Sequence, residues 1–130
     1  MMVVPEGGAL FQANMSMVMD GHTGIEHALP VGSIYDDVVQ FWSQTRVGYT
    51  PTLVVAYGGL GGENYWYRHT DVWANERLLT FVPRRRVDSR ARRPVHAPDE
   101  EWNHVQAASA ATLLDRSGVI VNIGAHGQRE

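Results

Sequence analysis

The alternation of short apolar runs with amphipathic stretches most constrains the fold of this 130-residue chain. Four apolar runs predict strands, over residues 1–5, 23–29, 49–56 and 119–124. Helical patterns lie between them, and alternating strands and helices are typical of a parallel α/β fold. We therefore expect one α/β domain over residues 1–130, with about four parallel strands and flanking helices.

The helical stretches have apolar residues at i, i+4, i+7 and i+8, which places them on one helix face. Two stretches follow this spacing: Phe11, Met15, Val18 and Met19, then Ile34, Val38, Phe41 and Trp42. A third helix is predicted to begin at Pro98, where three acidic residues follow the proline, and to end at Gly118.

Residues 57–98 interrupt this alternation and are predicted to form a long loop insertion, with a short helix near 70–79. The insertion contains an arginine-rich run over 84–93, which could bind phosphates or RNA. Asp88 lies within the run, and the net charge of the whole chain is −3. These two observations favour a solvated loop with local ion pairs over a nucleic-acid site.

The composition excludes several classes of site. The chain has no Cys, so disulfides, thiolate zinc sites and Cys nucleophiles are excluded. All 11 Lys and Arg residues are Arg, which excludes a Schiff-base or P-loop lysine within this sequence. No apolar run approaches the roughly 18 residues of a membrane span. Glu6 and Asp20 argue against a secretory signal, so a soluble protein, cytoplasmic by default, is expected, although the lack of Cys is equally compatible with export.

Three potential metal ligands follow predicted strands. Glu6, His27 and His126 stand near the carboxyl ends of the first, second and fourth strands. Binding sites of parallel sheets lie beyond those ends. His, Asp and Glu are the ligands that remain for zinc or another divalent metal in a Cys-free chain. For His27, a histidine that only forms a hydrogen bond at a strand end is the alternative.

Three strings of the sequence resemble the amidohydrolase superfamily, most closely its imidazolonepropionase-like and prolidase-like branch. They are DGHTGIEHALP (Asp20–Pro30), GYTPTLVVAYGG (Gly48–Gly59) and GVIVNIGAHGQRE (Gly118–Glu130). The resemblance implies a partial (β/α)8 TIM-type barrel that corresponds to the fifth through eighth strands. It also implies one or two divalent metals, with zinc expected, that activate water for hydrolysis of C–N bonds.

The resemblance gives each candidate residue a role. His27 matches the histidine of the sixth-strand EH motif, which implies a metal ligand. Glu6 stands where the family usually has a fifth-strand histidine, which implies a ligand or a base. His126 replaces the eighth-strand Asp, which implies a ligand or a proton shuttle. The His-x-His motif of the family's first strand has no counterpart in this sequence.

Three functions stay open from the sequence. The first is part of a metal-dependent amidohydrolase that acts on a non-peptide or cyclic amide. The second is a non-catalytic barrel fragment or scaffold without a complete metal site. The third is a phosphate- or RNA-binding module built on residues 84–93. The expected partners are a small-molecule substrate and either further copies of the chain or the rest of the barrel, and neither nucleic acid nor a membrane.

Overall fold

The computed structural model describes residues 1–55, 60 and 62–125. Across these residues the chain forms six α-helices and two strands. The helices are α1 (Phe11–Met19), α2 (Asp36–Ser43), α3 (Gly62–His69), α4 (Glu76–Phe81), α5 (Arg84–Ala91) and α6 (His104–Arg116). The strands are β1 (Gly24–Glu26) and β2 (Gly48–Thr50), and short 3-10 helices cover Val72–Ala74 and Asp99–Glu101.

The sheet consists of β1 and β2, which pair in parallel with Ile25 opposite Tyr49. Glu6 adds one isolated parallel bridge to β1, and Val121 adds one to β2. The prediction of a partial TIM-type barrel with about four parallel strands is therefore wrong. In the described part of the chain the fold is a small α-rich unit around two short strands.

Two prolines explain why the outer apolar runs do not extend the sheet. Beside β2, Tyr49 N–H donates to the Ile120 carbonyl and Asn122 N–H donates to the Tyr49 carbonyl. Pro51 has no N–H with which to continue this ladder. Pro5 likewise cannot donate toward β1, although its own carbonyl accepts from Glu26 N–H. The two outer runs therefore contact the sheet through too few consecutive hydrogen bonds to form strands.

The core lies where both strands meet α1, α2 and α6. Its largest fully buried side chains are Trp42, Tyr49, Ile25, Leu114 and Val18. The rings of Trp42 and Tyr49 meet edge to face with their centroids 5.3 Å apart. The Trp42 Nε1–H donates to the Val47 carbonyl at 2.8 Å, so the buried indole has its hydrogen bond.

The helices α1 and α2 confirm the two clearest predicted helices, although Met19 of the predicted α1 face is 70% exposed and Ile34 lies before the start of α2. α2 begins with Asp36 and Asp37, whose charges suit the positive end of the helix dipole. α1 is followed by Gly21 with a φ of 74°, which favours glycine. The third predicted helix begins later than expected, because Asp99–Glu101 forms a 3-10 turn before α6. None of the described helices is long and apolar enough to span a membrane.

The predicted loop insertion contains three α-helices, α3, α4 and α5. The arginine-rich run, for which the sequence favoured a solvated loop, forms α5. Val87 anchors this helix with a side chain only 1% exposed. Arg84 Nε lies 3.7 Å from Asp88 Oδ2 one turn along, a spacing that stabilises a helix by about 0.2–0.5 kcal/mol. α5 packs against α3 and Val72–Ala74.

Candidate functional site

Glu6 and His27 meet at the carboxyl end of β1. Glu6 bridges to Glu26, the last residue of β1, and His27 is the next residue along the chain. The His27 Nε2 lies 2.7 Å from the Glu6 Oε1. A carboxylate can only accept, so the imidazole donates, and the distance is that of a charge-assisted hydrogen bond. The structure thus brings together two of the three residues selected from the sequence.

The backbone of His27 has a conformation that is uncommon for a side-chain-bearing residue. Its φ is 69°, and it is the one described non-glycine residue with a positive φ. Its N–H donates to the Thr50 carbonyl at 3.0 Å, which continues the ladder from β2. The His27 side chain is 12% exposed, whereas that of Glu6 is 73% exposed. Such conformations persist where the surrounding structure enforces them, which is common at functional sites.

The loop that carries Glu6 is fixed from both sides. The Gly7 N–H donates to the Glu26 carbonyl at 2.8 Å. A Cβ on Gly7 would stand 2.6 Å from that carbonyl oxygen, so only glycine fits without movement. The side-chain amide of Asn14 accepts from the Gly8 N–H at 3.0 Å and donates to the Gly8 carbonyl at 2.9 Å. These contacts hold Glu6 beside β1.

Sequence reasoning missed Asn14 as a residue that positions the site. Its side chain is buried in α1, and it also donates to the Leu10 carbonyl at 3.2 Å. The sequence did indicate this role: Asn14 lies three residues after Phe11 and four before Val18, and this spacing places it on the same helix face as those two apolar residues. A polar side chain on such a face requires internal partners, because burial without hydrogen bonds is costly.

The segment after His27 is tied to the core through Tyr49. The Leu29 N–H donates to the Tyr49 hydroxyl at 3.0 Å in a buried setting. Burial raises the pKa of Tyr49 to about 12, and the hydrogen bond from Leu29 opposes this rise only in part. Tyr49 is therefore neutral at physiological pH. Its uncharged hydroxyl accepts the hydrogen bond from Leu29 and so holds the segment that follows His27 in place.

The donor types at this edge suit a divalent metal, but the described residues supply too few of them. Among these residues, no three His, Cys, Asp or Glu side chains form a group that could hold a metal ion. A catalytic zinc takes three protein ligands, and a carboxylate and an imidazole on one tetrahedral zinc stand about 3.3 Å apart. His27 and Glu6 would have to separate slightly. His126, the third predicted ligand, lies outside the described residues.

Comparisons with protein-family models, curated proteins and solved structures find no match to this chain.

Proposed function

We propose that Glu6 and His27 provide two ligands of a divalent-metal site in a metal-dependent hydrolase. The observation that supports this is the 2.7 Å approach of an imidazole and a carboxylate from segments 21 residues apart. When bound, such a metal would activate water for hydrolysis. Within this chain, Glu6 and His27 would hold the metal, and Gly7 and Asn14 would keep the Glu6 loop in register.

The remaining ligands of this site would come from outside the described residues. His126 is the candidate within this chain, and a further protein segment is the other source. The substrate class that we propose is a small amide or cyclic amide, which the sequence resemblance implies. Because the described residues provide two ligands where three are normal, we expect weak zinc binding and negligible turnover by the chain alone.

The experiment is a calorimetric titration of the purified chain with zinc. We expect His27→Ala to lower the zinc affinity at least about tenfold, the equivalent of 1.4 kcal/mol. Glu6→Gln should lower it as well, because the amide keeps the shape of the side chain but loses its charge. Unchanged zinc binding in His27→Ala would refute the proposed site.

His22→Ala is the matched control. His22 lies in the turn before β1, where its Nδ1 is 2.9 Å from the Met17 carbonyl. Removing this imidazole subtracts one histidine from the chain without touching Glu6 or His27, so zinc affinity should not change. If His22→Ala and His27→Ala weaken binding equally, zinc is held by surface histidines and not by the proposed site.

A non-catalytic scaffold is the second candidate. One observation favours it: without any metal, the Glu6–His27 hydrogen bond already joins the first segment of the chain to the end of β1. In that case the pair is structural. The wild-type chain would then bind no zinc, and His27→Ala would lower the free energy of unfolding without any effect on metal content.

We also propose that the chain associates with further copies of itself. Several apolar side chains that border the sheet are exposed, among them Val3, Val4, Ile120 and Ile123. Exposed apolar side chains beside short, open strands are typical of surfaces that another chain covers. Sedimentation velocity over a wide concentration range tests this, and a monomer at every concentration would refute it.

A further inference from the structure

Two short segments flank the strands, one on each side of the sheet. Residues 3–7 exchange two backbone hydrogen bonds with Glu26 of β1, at the isolated bridge described above. Residues 119–124 exchange two backbone hydrogen bonds with Tyr49 of β2. Both bridges are parallel, so the two segments run in the same direction as the strands. We call residues 3–7 the first edge and residues 119–124 the second edge.

Each edge has backbone groups that point away from the sheet, because alternate residues of an extended segment direct their N–H and C=O to opposite sides. The bridge to Glu26 uses only the two neighbours of Glu6, so the N–H and C=O of Glu6 itself point outward. Val121 occupies the equivalent position at the second edge. The same alternation adds Val4 and Ile123. Within the described part of the chain, the backbone groups of these four residues have no hydrogen-bond partner.

The two edges differ in charge, which decides how copies of the chain can meet. The first edge carries the Glu6 carboxylate, which is 73% exposed. The second edge contains no charged side chain, although charges commonly protect an open edge from pairing. Two first edges would bring two Glu6 carboxylates close together, and like charges across a strand pair are destabilising. A first edge against an uncharged second edge avoids this repulsion.

A groove beside the second edge can receive apolar side chains of an added segment. It has a volume of about 310 Å³ and lies between α6 and residues 121–123. Its apolar lining includes Leu53, Ala108 and Ala111. The segment that leads into the first edge, Met1–Val4, consists of exposed apolar residues. Strand addition combines these two features, because backbone hydrogen bonds supply affinity and adjacent pockets for side chains supply specificity.

We propose that the first edge of one copy pairs in parallel with the second edge of another copy. This inference rests on the self-association proposed above and names the two surfaces that meet. The outward N–H and C=O groups of Val4 and Glu6 would then bond to those of Val121 and Ile123. Pairing of unlike edges can use both edges of every copy, whereas pairing of like edges leaves one edge of each copy open.

The test is sedimentation velocity of the full chain with one blocked edge at a time, in the variants Val4→Lys and Ile123→Lys. These side chains are 41% and 82% exposed, so both variants should keep the fold, and a lysine at an edge opposes pairing. Each variant alone should associate at least about tenfold more weakly than the wild type. An equimolar mixture should form one-to-one dimers, because each variant retains the edge that the other has lost. Val4→Pro and Ile123→Pro, which remove an outward N–H, are a second pair that should behave in the same way.

Phe81→Lys is the matched control. Phe81 ends α4, outside the sheet, and is 79% exposed, so the same added charge there should leave association unchanged. An equal loss in this control would overturn the proposal. If either edge variant alone associates as the wild type does, the pairing of unlike edges is overturned while self-association stands. A mixture of the two edge variants that stays monomeric would also overturn the pairing. A wild type that is monomeric at every concentration would refute self-association itself, and this inference with it.

Discussion

The hydroxyl of Tyr49, in the middle of β2, lies 3.0 Å from the backbone nitrogen of Leu29, two residues after His27. Both residues are buried. One side chain of the sheet thus satisfies the backbone of the segment that leaves the candidate site. The Tyr49 ring also packs edge to face on Trp42, so the same residue links the site to the largest side chain of the core.

We expect Tyr49→Phe to destabilise the fold by about 1–3 kcal/mol, because it leaves the buried Leu29 N–H without its acceptor. The phenyl ring keeps the packing on Trp42, so the loss reports the hydrogen bond alone. Urea unfolding measures the change in the free energy of unfolding. Tyr35→Phe is the control: its side chain is exposed, and it should change stability by less than about 0.5 kcal/mol.

The raised pKa of Tyr49 predicts a loss of stability at alkaline pH. Burial raises the pKa in the folded chain to about 12, whereas in the unfolded chain it is about 10. The stabilisation is complete below pH 10 and declines as the pH rises to about 12, because ionisation then favours the unfolded state. The decline should amount to about 2–3 kcal/mol.

Unfolding curves at several pH values between about 9 and 12 check this expectation. Tyr49→Phe removes the titrating group, so its stability should fall less steeply over that range than that of the wild type. Parallel pH profiles for the two proteins would contradict the assignment to Tyr49.

The sequence predicted the local elements with strong periodicity better than the sheet. α1 and α2 were predicted from their apolar spacing, and Val18 of α1 and Trp42 of α2 are buried in the core. The sheet was predicted only in part: β1 lies within the predicted strand 23–29, β2 overlaps the predicted strand 49–56, and the two pair in parallel, but residues 1–5 and 119–124 form no strands. Apolar runs indicate that a segment is buried, but Pro5 and Pro51 decide whether its backbone can continue a ladder. The helix α5 was not predicted, because Val87 is its one buried residue and the run of arginines shows no apolar periodicity.

The candidate site was also predicted only in part. Glu6 and His27 follow apolar runs that do lie side by side in parallel, so their side chains meet even though the outer run is not a strand. The positive φ of His27 could not be predicted from the sequence, because a histidine by itself does not indicate a left-handed backbone conformation. The role of Asn14 depends on its burial, which follows from the packing of α1 against β1.

Gly7 provides a test of the loop that holds Glu6. A Cβ there would lie 2.6 Å from the Glu26 carbonyl oxygen and 2.9 Å from the Asn14 Oδ1. Gly7→Ala must therefore move backbone, and we expect a loss of about 1–3 kcal/mol, as for other overpacked sites. At Gly8 a Cβ would meet nothing within 4 Å, so Gly8→Ala should have little effect. Thermal unfolding of the two variants makes the comparison, and equal effects would contradict the close approach at Gly7.

His27 offers the corresponding test of backbone strain. Its φ of 69° lies in the left-handed region, where glycine is free of the steric cost that a side chain incurs. His27→Gly and His27→Ala both lose the contact with Glu6, so their difference isolates the backbone. We expect His27→Gly to be the more stable of the two by about 1 kcal/mol in urea unfolding. At His22, whose φ is not positive, the order should reverse, because glycine there only adds freedom to the unfolded chain. If alanine is favoured over glycine at both positions, the left-handed conformation of His27 is incorrect.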